Sequence, residues 1–402
     1  MKLRPTYKQS SAAPDGVESP DRLLWPPVRS ARRTDPFGNP LDVLWIESAA
    51  APRGLRPGRK TAGLVRVECR RDPLDPSRVA YIAPERGKRI TPQSAPAPHE
   101  LHGIPCNCPF EWSRLAQREP TRFRIVPGQE SLIEDTLGDT LRFVVKNTTV
   151  IGNALPAAPH QFIIISTLDH HKSLHERIPE EVEDLVRVLA SLTARARALG
   201  ARGIEVIKNH GQFAGGTVAH PHWQARVLME PADALPARRP RTALRMLDLV
   251  LRERVLGTRV FLRRRTTHGE IIGWRAFAGF ECYLAVLRQG ADTPTPHYLC
   301  DLTADEYRQL AASLQSVAAY YASCGIEDYN VLVRQPAFVR RPTAKTDTFS
   351  FLWMPRGPAY QPAGFEIISG YRVQFVSESP EQEAQRMRAF LRTATAKPAR
   401  GR

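Results

Sequence analysis

The chain has 402 residues, 42% of them hydrophobic, and a formal net charge of +16. That length and apolar content support a sizeable core in two or three domains and exclude a disordered or fibrous protein. No apolar run approaches the roughly 18 residues of a membrane helix, the start Met1-Lys-Leu-Arg-Pro5 has no apolar signal region, and six cysteines are too few for a disulfide framework; the expectation is a cytoplasmic protein that does not engage a membrane.

Residues 1–60 are rich in Pro, Arg, Ser and Ala with weak periodicity, and predict an irregular extension with one strand at Val43–Ile46. Arg78–Ile82 alternates like a strand and leads into a basic loop ending at Arg89. Strands are expected over Leu141–Asn147 and Gln161–Ser166. A helix follows from Pro179 to Leu199, with Val182, Leu185, Val186, Leu189 and Leu192 at helical spacing. Pro179 and two acids open it and Gly200 closes it. Ile204–Lys208 is the next strand, then a glycine-rich turn, then a strand running to Leu228.

The order returns. Glu281–Leu287 is strand-like, and Thr303-Ala-Asp-Glu306 is a capping box for a helix to Ser323, stopped by Gly325. Tyr329–Arg334 and Thr348–Met354 read as strands. A last helix starts near Ser379-Pro-Glu-Gln-Glu383. Strand, helix, strand, strand thus occurs twice, which predicts an α+β chain of two duplicated modules, each an antiparallel sheet with a helix against it. The expected boundaries are an extension over 1–60, a first module over 61–232 and a second over 233–402.

The chemistry is concentrated in Asn209-His-Gly-Gln-Phe-Ala-Gly-Gly-Thr-Val-Ala-His-Pro-His-Trp-Gln224. On a strand, His220, His222 and Gln224 share one face. The glycines before them, Gly215 and Gly216 included, let backbone amides approach a phosphate. An imidazole beside such amides can attack phosphorus and carry it covalently. The basic residues elsewhere are scattered rather than striped, so the net charge reads first as a solvated surface, with attraction of polyanionic partners or phosphorylated substrates as the alternative. Basic clusters interleaved with exposed aromatics are not evident, and nucleic acid is not an expected partner.

This stretch resembles the active-site motif of the galactose-1-phosphate uridylyltransferase branch of the histidine-triad superfamily. Asn209, Gly211, Gly215, Thr217, His220, Pro221, His222 and Gln224 match its pattern, with Thr217 in place of serine. The resemblance covers roughly residues 65 to 395, and is specific in the first module and loose in the second. It implies two tandem histidine-triad modules, usually assembled as a homodimer. It also implies transfer of a nucleoside monophosphate, UMP in the family, from a nucleotide sugar to a sugar 1-phosphate through a nucleotidyl-histidine, as in galactose metabolism. His222 would be the nucleophile, Gln224 would hold a phosphate oxygen, and Thr217 would receive developing charge. Arg86 and Arg89 match phosphate-binding arginines, Asn147 and Asn209 match nucleotide-binding asparagines, and Glu366 in Ala363-Gly-Phe-Glu366 matches a hexose-binding glutamate.

The resemblance further implies a structural zinc. Cys108, Glu111, His170 and His220 stand at the ligand positions, with a carboxylate where the family has a second cysteine. Cys106 and the adjacent His171 are alternative ligands. In the second module Phe349-Ser-Phe-Leu-Trp-Met-Pro355 replaces any His-x-His, so that module is expected to be degenerate. Other acceptors for the same histidine remain open: phosphate would make a nucleotide-sugar or dinucleoside-polyphosphate phosphorylase, and water a hydrolase. A noncatalytic nucleotide or nucleic-acid binder is the remaining alternative, but it would have no need of the nucleophile.

Overall fold

A computed structural model of the chain describes residues 28–38, 40–47, 64–75, 78–82, 108, 110, 133–134, 141–145, 148–152, 160–167, 169–170, 172–211, 213–216, 218–228, 244–290, 294–339, 342, 347–357, 373–376 and 378–396. Five strands form a smaller sheet: β1 (Val28–Thr34), β2 (Pro40–Glu47), β3 (Leu64–Arg71), β4 (Val79–Ile82) and, parallel to β4 at its edge, β16 (Val373–Val376). The stretch to residue 60, read as irregular apart from one strand, thus contributes a hairpin. Its alternation is masked by the run of arginines in β1.

The main sheet has eleven strands among the described residues, all paired antiparallel. The first module supplies β5 (Ile133–Glu134), β6 (Leu141–Val145), β7 (Thr148–Gly152), β8 (His160–Ile165), β9 (Gly203–His210) and β10 (His222–Leu228). The second supplies β11 (Val260–Thr266), β12 (Gly269–Arg275), β13 (Cys282–Arg288), β14 (Tyr329–Arg334) and β15 (Ser350–Pro355). The modules join where β9 pairs with β14. Helix α1 (Pro179–Ala198) and helix α3 (Ala304–Ser323) end before Gly200 and Gly325, which take left-handed φ of 77° and 68°. Ile207 and Leu332, each the same distance past its glycine, lie directly opposite one another, so a local dyad passes between the repeats.

Both helices cover one face of this sheet. Val182, Leu185, Leu189, Leu310, Leu314 and Val317 bury there against Trp223, Ala225, Val331, Phe351 and Trp353. Helix α3 starts at the expected capping box, with Glu306 N–H donating to Thr303 Oγ1 (3.4 Å) and Thr303 N–H to Glu306 Oε2 (2.8 Å). Helix α4 (Pro380–Ala396) joins the same layer through Ala384 and Met387. On the opposite face, the second module buries Trp274, Tyr283, Ala285 and Leu352 beneath the small sheet and helix α2 (Met246–Leu256). The first module carries no comparable layer there among the described residues: Ile163 and Ile165 cluster with Phe110 alone. That face holds the site.

Candidate active site

Alternation along β10 decides which side chains face the site. Trp223, Ala225 and Val227 are buried in the helix-side core, which turns His222, Gln224 and Arg226 to the opposite face. Gln224 lies across from Ile163 on β8 and Ile207 on β9. Its Oε1 accepts from Gln161 Nε2 at 3.3 Å, which leaves the Gln224 amide N–H group as a donor.

His222 is 6% exposed, and its Nδ1 lies 2.9 Å from the His220 carbonyl oxygen. A carbonyl only accepts, so Nδ1 carries the proton and Nε2 keeps its lone pair. Burial pushes the imidazole down to about 4, the carbonyl contact opposes this in part, and Lys208 lowers it further. The ring is therefore neutral and nucleophilic at pH 7. The Phe110 ring stands 5.0 Å from that of His222 at a steep angle.

The glycine turn is held from the second module. Gly211 and Gly215 take φ of 82° and 80°, and the Gly216 N–H is donated within the turn to the Gly211 carbonyl at 2.9 Å. Of the two glycines expected at the phosphate, Gly216 thus has its amide committed to the turn. Asp328, just before β14, accepts the Phe213 N–H at 2.8 Å and bonds the Ala214 backbone as well. A side chain at 211 would run into that carboxylate, with its Oδ1 2.1 Å from an added Cβ, so Gly211 is required twice over. Asn330 on β14 donates from Nδ2 to the Ala214 carbonyl and to Asn209 Oδ1, both at 2.8 Å. This fixes the Asn209 amide with its NH2 group free to donate.

His220 is 1% exposed and lies before the strand, which begins at His222 rather than carrying both histidines as expected. Its Nε2 meets the Thr167 carbonyl at 2.8 Å, which leaves Nδ1 facing Cys108 Sγ at 3.6 Å. His170 completes a buried group whose three ligand atoms lie within 4.8 Å of one another. A thiolate and two imidazoles at such spacing can hold a metal ion, and the Thr167 carbonyl fixes the His220 tautomer needed for it. The Phe110 N–H donates to Cys108 Sγ at 3.4 Å.

Thus His222, Gln224, Asn209, Gly215 and Gly216 share one region, and Cys108, His170 and His220 another beside it. Thr217, Arg86, Arg89, Asn147, Glu111, Glu366, Cys106 and His171 lie outside the described residues. Sequence reasoning missed Asp328, Asn330 and Phe110. The first two meet the turn only through the β9–β14 pairing; an Asp-x-Asn opening a strand was the one available signal.

No protein-family model matches the chain. No curated protein matches its sequence. Solved structures do. An ADP-glucose phosphorylase from Arabidopsis thaliana with bound ADP-glucose matches with a TM-score of 0.56 at 18% identity, over 80% of this chain and 98% of that one. A GalT-like protein from Arabidopsis thaliana gives 0.54 at 16% identity, over 80% and 98%. A uridylyltransferase gives 0.50 at 17% identity, over 62% and 87%. The chain has the uridylyltransferase fold. It is an α+β protein of two tandem modules, as the sequence repeat implied, with the histidine-triad-like architecture that the motif resemblance implied. Within the uridylyltransferase fold the histidine motif occupies the first module, while the corresponding strand of the second, β15, puts Phe351 and Trp353 into the core. No helix among the described residues is long and apolar enough to cross a membrane.

Proposed function

We propose that the protein is a nucleotidyltransferase that moves a nucleoside monophosphate from a nucleotide sugar to a phosphate-bearing acceptor through His222. The observation that carries this reading is the Nδ1 contact with the His220 carbonyl, which leaves Nε2 as a neutral nucleophile beside the glycine turn. The Nε2 lone pair attacks the α-phosphorus, and the bond to the sugar phosphate breaks. The sugar 1-phosphate leaves with that electron pair and needs no proton, because it is already a weak base. Positive charge then develops on the ring, where the His220 carbonyl stabilises it. Gln224 and Asn209 present amide N–H donors to phosphate oxygens, Gly215 presents its backbone amide, and Thr217 adds a hydroxyl. Arg86 and Arg89 would grip the distal phosphate, Asn147 the nucleoside and Glu366 the sugar. The acceptor attacks the same phosphorus, and the phosphorus–nitrogen pair returns to Nε2.

UMP passing between hexose 1-phosphates is the form the motif resembles most. A phosphorylase working on an ADP-sugar is the second reading, favoured by the similarity to a phosphorylase that holds ADP-glucose. A zinc ion on Cys108, His170 and His220, with Glu111 as a further ligand, would supply no chemistry in either case. It would anchor His220 and so the carbonyl that orients His222. Cytoplasmic location and homodimer formation complete the proposal.

The test is trapping. The protein is incubated with UDP-, ADP- and GDP-sugars and its intact mass is measured. The expected result is a nucleoside monophosphate adduct in wild type and none in His222→Gly. UMP addition supports the uridylyl form and AMP addition the phosphorylase form. An unmodified wild-type mass with every donor would refute nucleotidyl transfer.

A further inference from the structure

Four central strands bring one row of the two modules together. Gln224, Ile207, Leu332 and Leu352 are successive partners across β10, β9, β14 and β15. Two residues nearer the turn, Asn209, Asn330 and Met354 are successive partners, and continuing the β10–β9 register by two residues brings His222 to the same row. The next row on β14 and β15 is Asp328 and Arg356, joined by the Arg356 N–H to the Asp328 carbonyl at 2.8 Å. Arg356 therefore sits on the site face, about three strand spacings across and one row along, or ~16 Å, from the His222 backbone. Its side chain leans back toward the histidine, since Nε donates to Asn330 Oδ1. That same Asn330 holds Asn209 and the glycine turn.

Among the described residues no carboxylate contacts Arg356; its Nη2 lies 3.9 Å from Met354 Sδ. The carboxylate that acts on its charge, Glu281, is bonded to Arg78 at 2.5 Å. The guanidinium is partly buried, and burial lowers its pKa from the usual value. A half-buried guanidinium bonded to the asparagine that holds the glycine turn keeps N–H donors complementary to an anion. A solvated arginine would instead extend away from the sheet rather than bond a buried asparagine.

We infer that Arg356 binds both the phosphate that leaves and the phosphate-bearing acceptor that enters. The inference rests on the His222 reading. In the second half-reaction an acceptor phosphate oxygen, held by Arg356, forms a bond to the α-phosphorus as the phosphorus–nitrogen bond breaks. The bonding pair returns to His222 Nε2 and no proton transfer is needed. Because the leaving group and the acceptor are both phosphates, one arginine serves both half-reactions.

The experiment follows discharge of the adduct by intact mass in the full-length protein. Orthophosphate, glucose 1-phosphate or buffer alone is added to the nucleotidylated wild type, Arg356→Gln and Arg356→Lys. Wild type should discharge saturably with one of the two phosphates and far more slowly in buffer. R356Q should raise the phosphate concentration needed for half-maximal discharge roughly 10- to 100-fold. R356K should fall between. Equal discharge of wild type with and without phosphate, or an unchanged phosphate dependence in R356Q, would overturn the assignment. Binding of labelled orthophosphate to unreacted protein by equilibrium dialysis reads the site without an adduct: R356Q should weaken it, and equal binding would count against Arg356. An unmodified wild type removes the His222 reading, whereas an adduct indifferent to Arg356 removes only this one.

Discussion

Asp328 shows how much of this site depends on a residue that touches no reacting atom. Its carboxylate collects the amides of Phe213 and Ala214 and so holds the turn in shape. Asp328→Ala should slow adduct formation by about 10- to 100-fold while costing only ~1–3 kcal/mol of stability. Single-turnover kinetics and urea unfolding of the same preparation check this; an unchanged adduct rate would show that the turn holds itself. Lys208 makes the opposite case. It is 2% exposed on the helix side of β9, and burial, with Arg177 adding to it, pushes its ammonium down to about 7 from 10.5. The fold thus favours the neutral amine. The resulting penalty is fully present below pH 7 and vanishes as pH rises toward the unfolded value. Lys208→Met should therefore stabilise by on the order of a few kcal/mol at pH 6.5, with the gain shrinking steadily by pH 9.5. Thermal unfolding across that range tests it, and a gain independent of pH would contradict the linkage. The segment around His222 was legible because two histidines and three glycines stand together in one short stretch. Asp328 and Asn330 were not, because their meaning depends on a strand partner more than a hundred residues away.

Among the elements, the helices capped by their own sequence were readable. Pro179, the Thr303 box and Gly325 fix α1 and α3 close to the expected ends. Helix α2 was not, and its side chains explain why. Leu249 and Val250 are buried while Leu251 and Val255 are 41% and 85% exposed, so apolar residues encircle the helix and leave no stripe to detect. The hairpin β11–β12 was hidden by Arg263-Arg264-Arg265, three successive charges that break any apolar alternation, yet they lie in a strand whose Arg263 pairs with Glu270. The segment carrying Cys108 links the candidate metal site to the proposed nucleophile, since Cys108 faces His220 while Phe110 packs on His222. The purified protein should contain about one zinc per chain, lost in Cys108→Ser. Removing the ion with a chelator should lower the melting temperature and slow adduct formation together. Emission spectroscopy and calorimetry read both, and a metal-free protein of full activity would dismiss the zinc.

The molecule as a whole uses one fold twice for different ends. In the second module the face opposite the helices is closed by the small sheet and α2; in the first the same face carries His222, Gln224 and Asn209. The small sheet is tied to the C-terminal helix by Glu381, which bonds Arg70 of β3 at 3.0 Å and Arg259 at 2.9 Å while both guanidiniums lie over Phe277. Glu381→Ala should cost ~1–3 kcal/mol in urea unfolding, because each arginine keeps a second carboxylate, Glu68 or Glu253. A cost indistinguishable from zero would mean the tie is ornamental. The central claim is that the nucleotide rests on His222 between two displacements. The stereochemical course at phosphorus tests it most directly, using a nucleotide sugar with a chiral thiophosphate at the α position and phosphorus NMR of the product. Two inversions predict net retention; net inversion would mean direct transfer to the acceptor and would contradict the account.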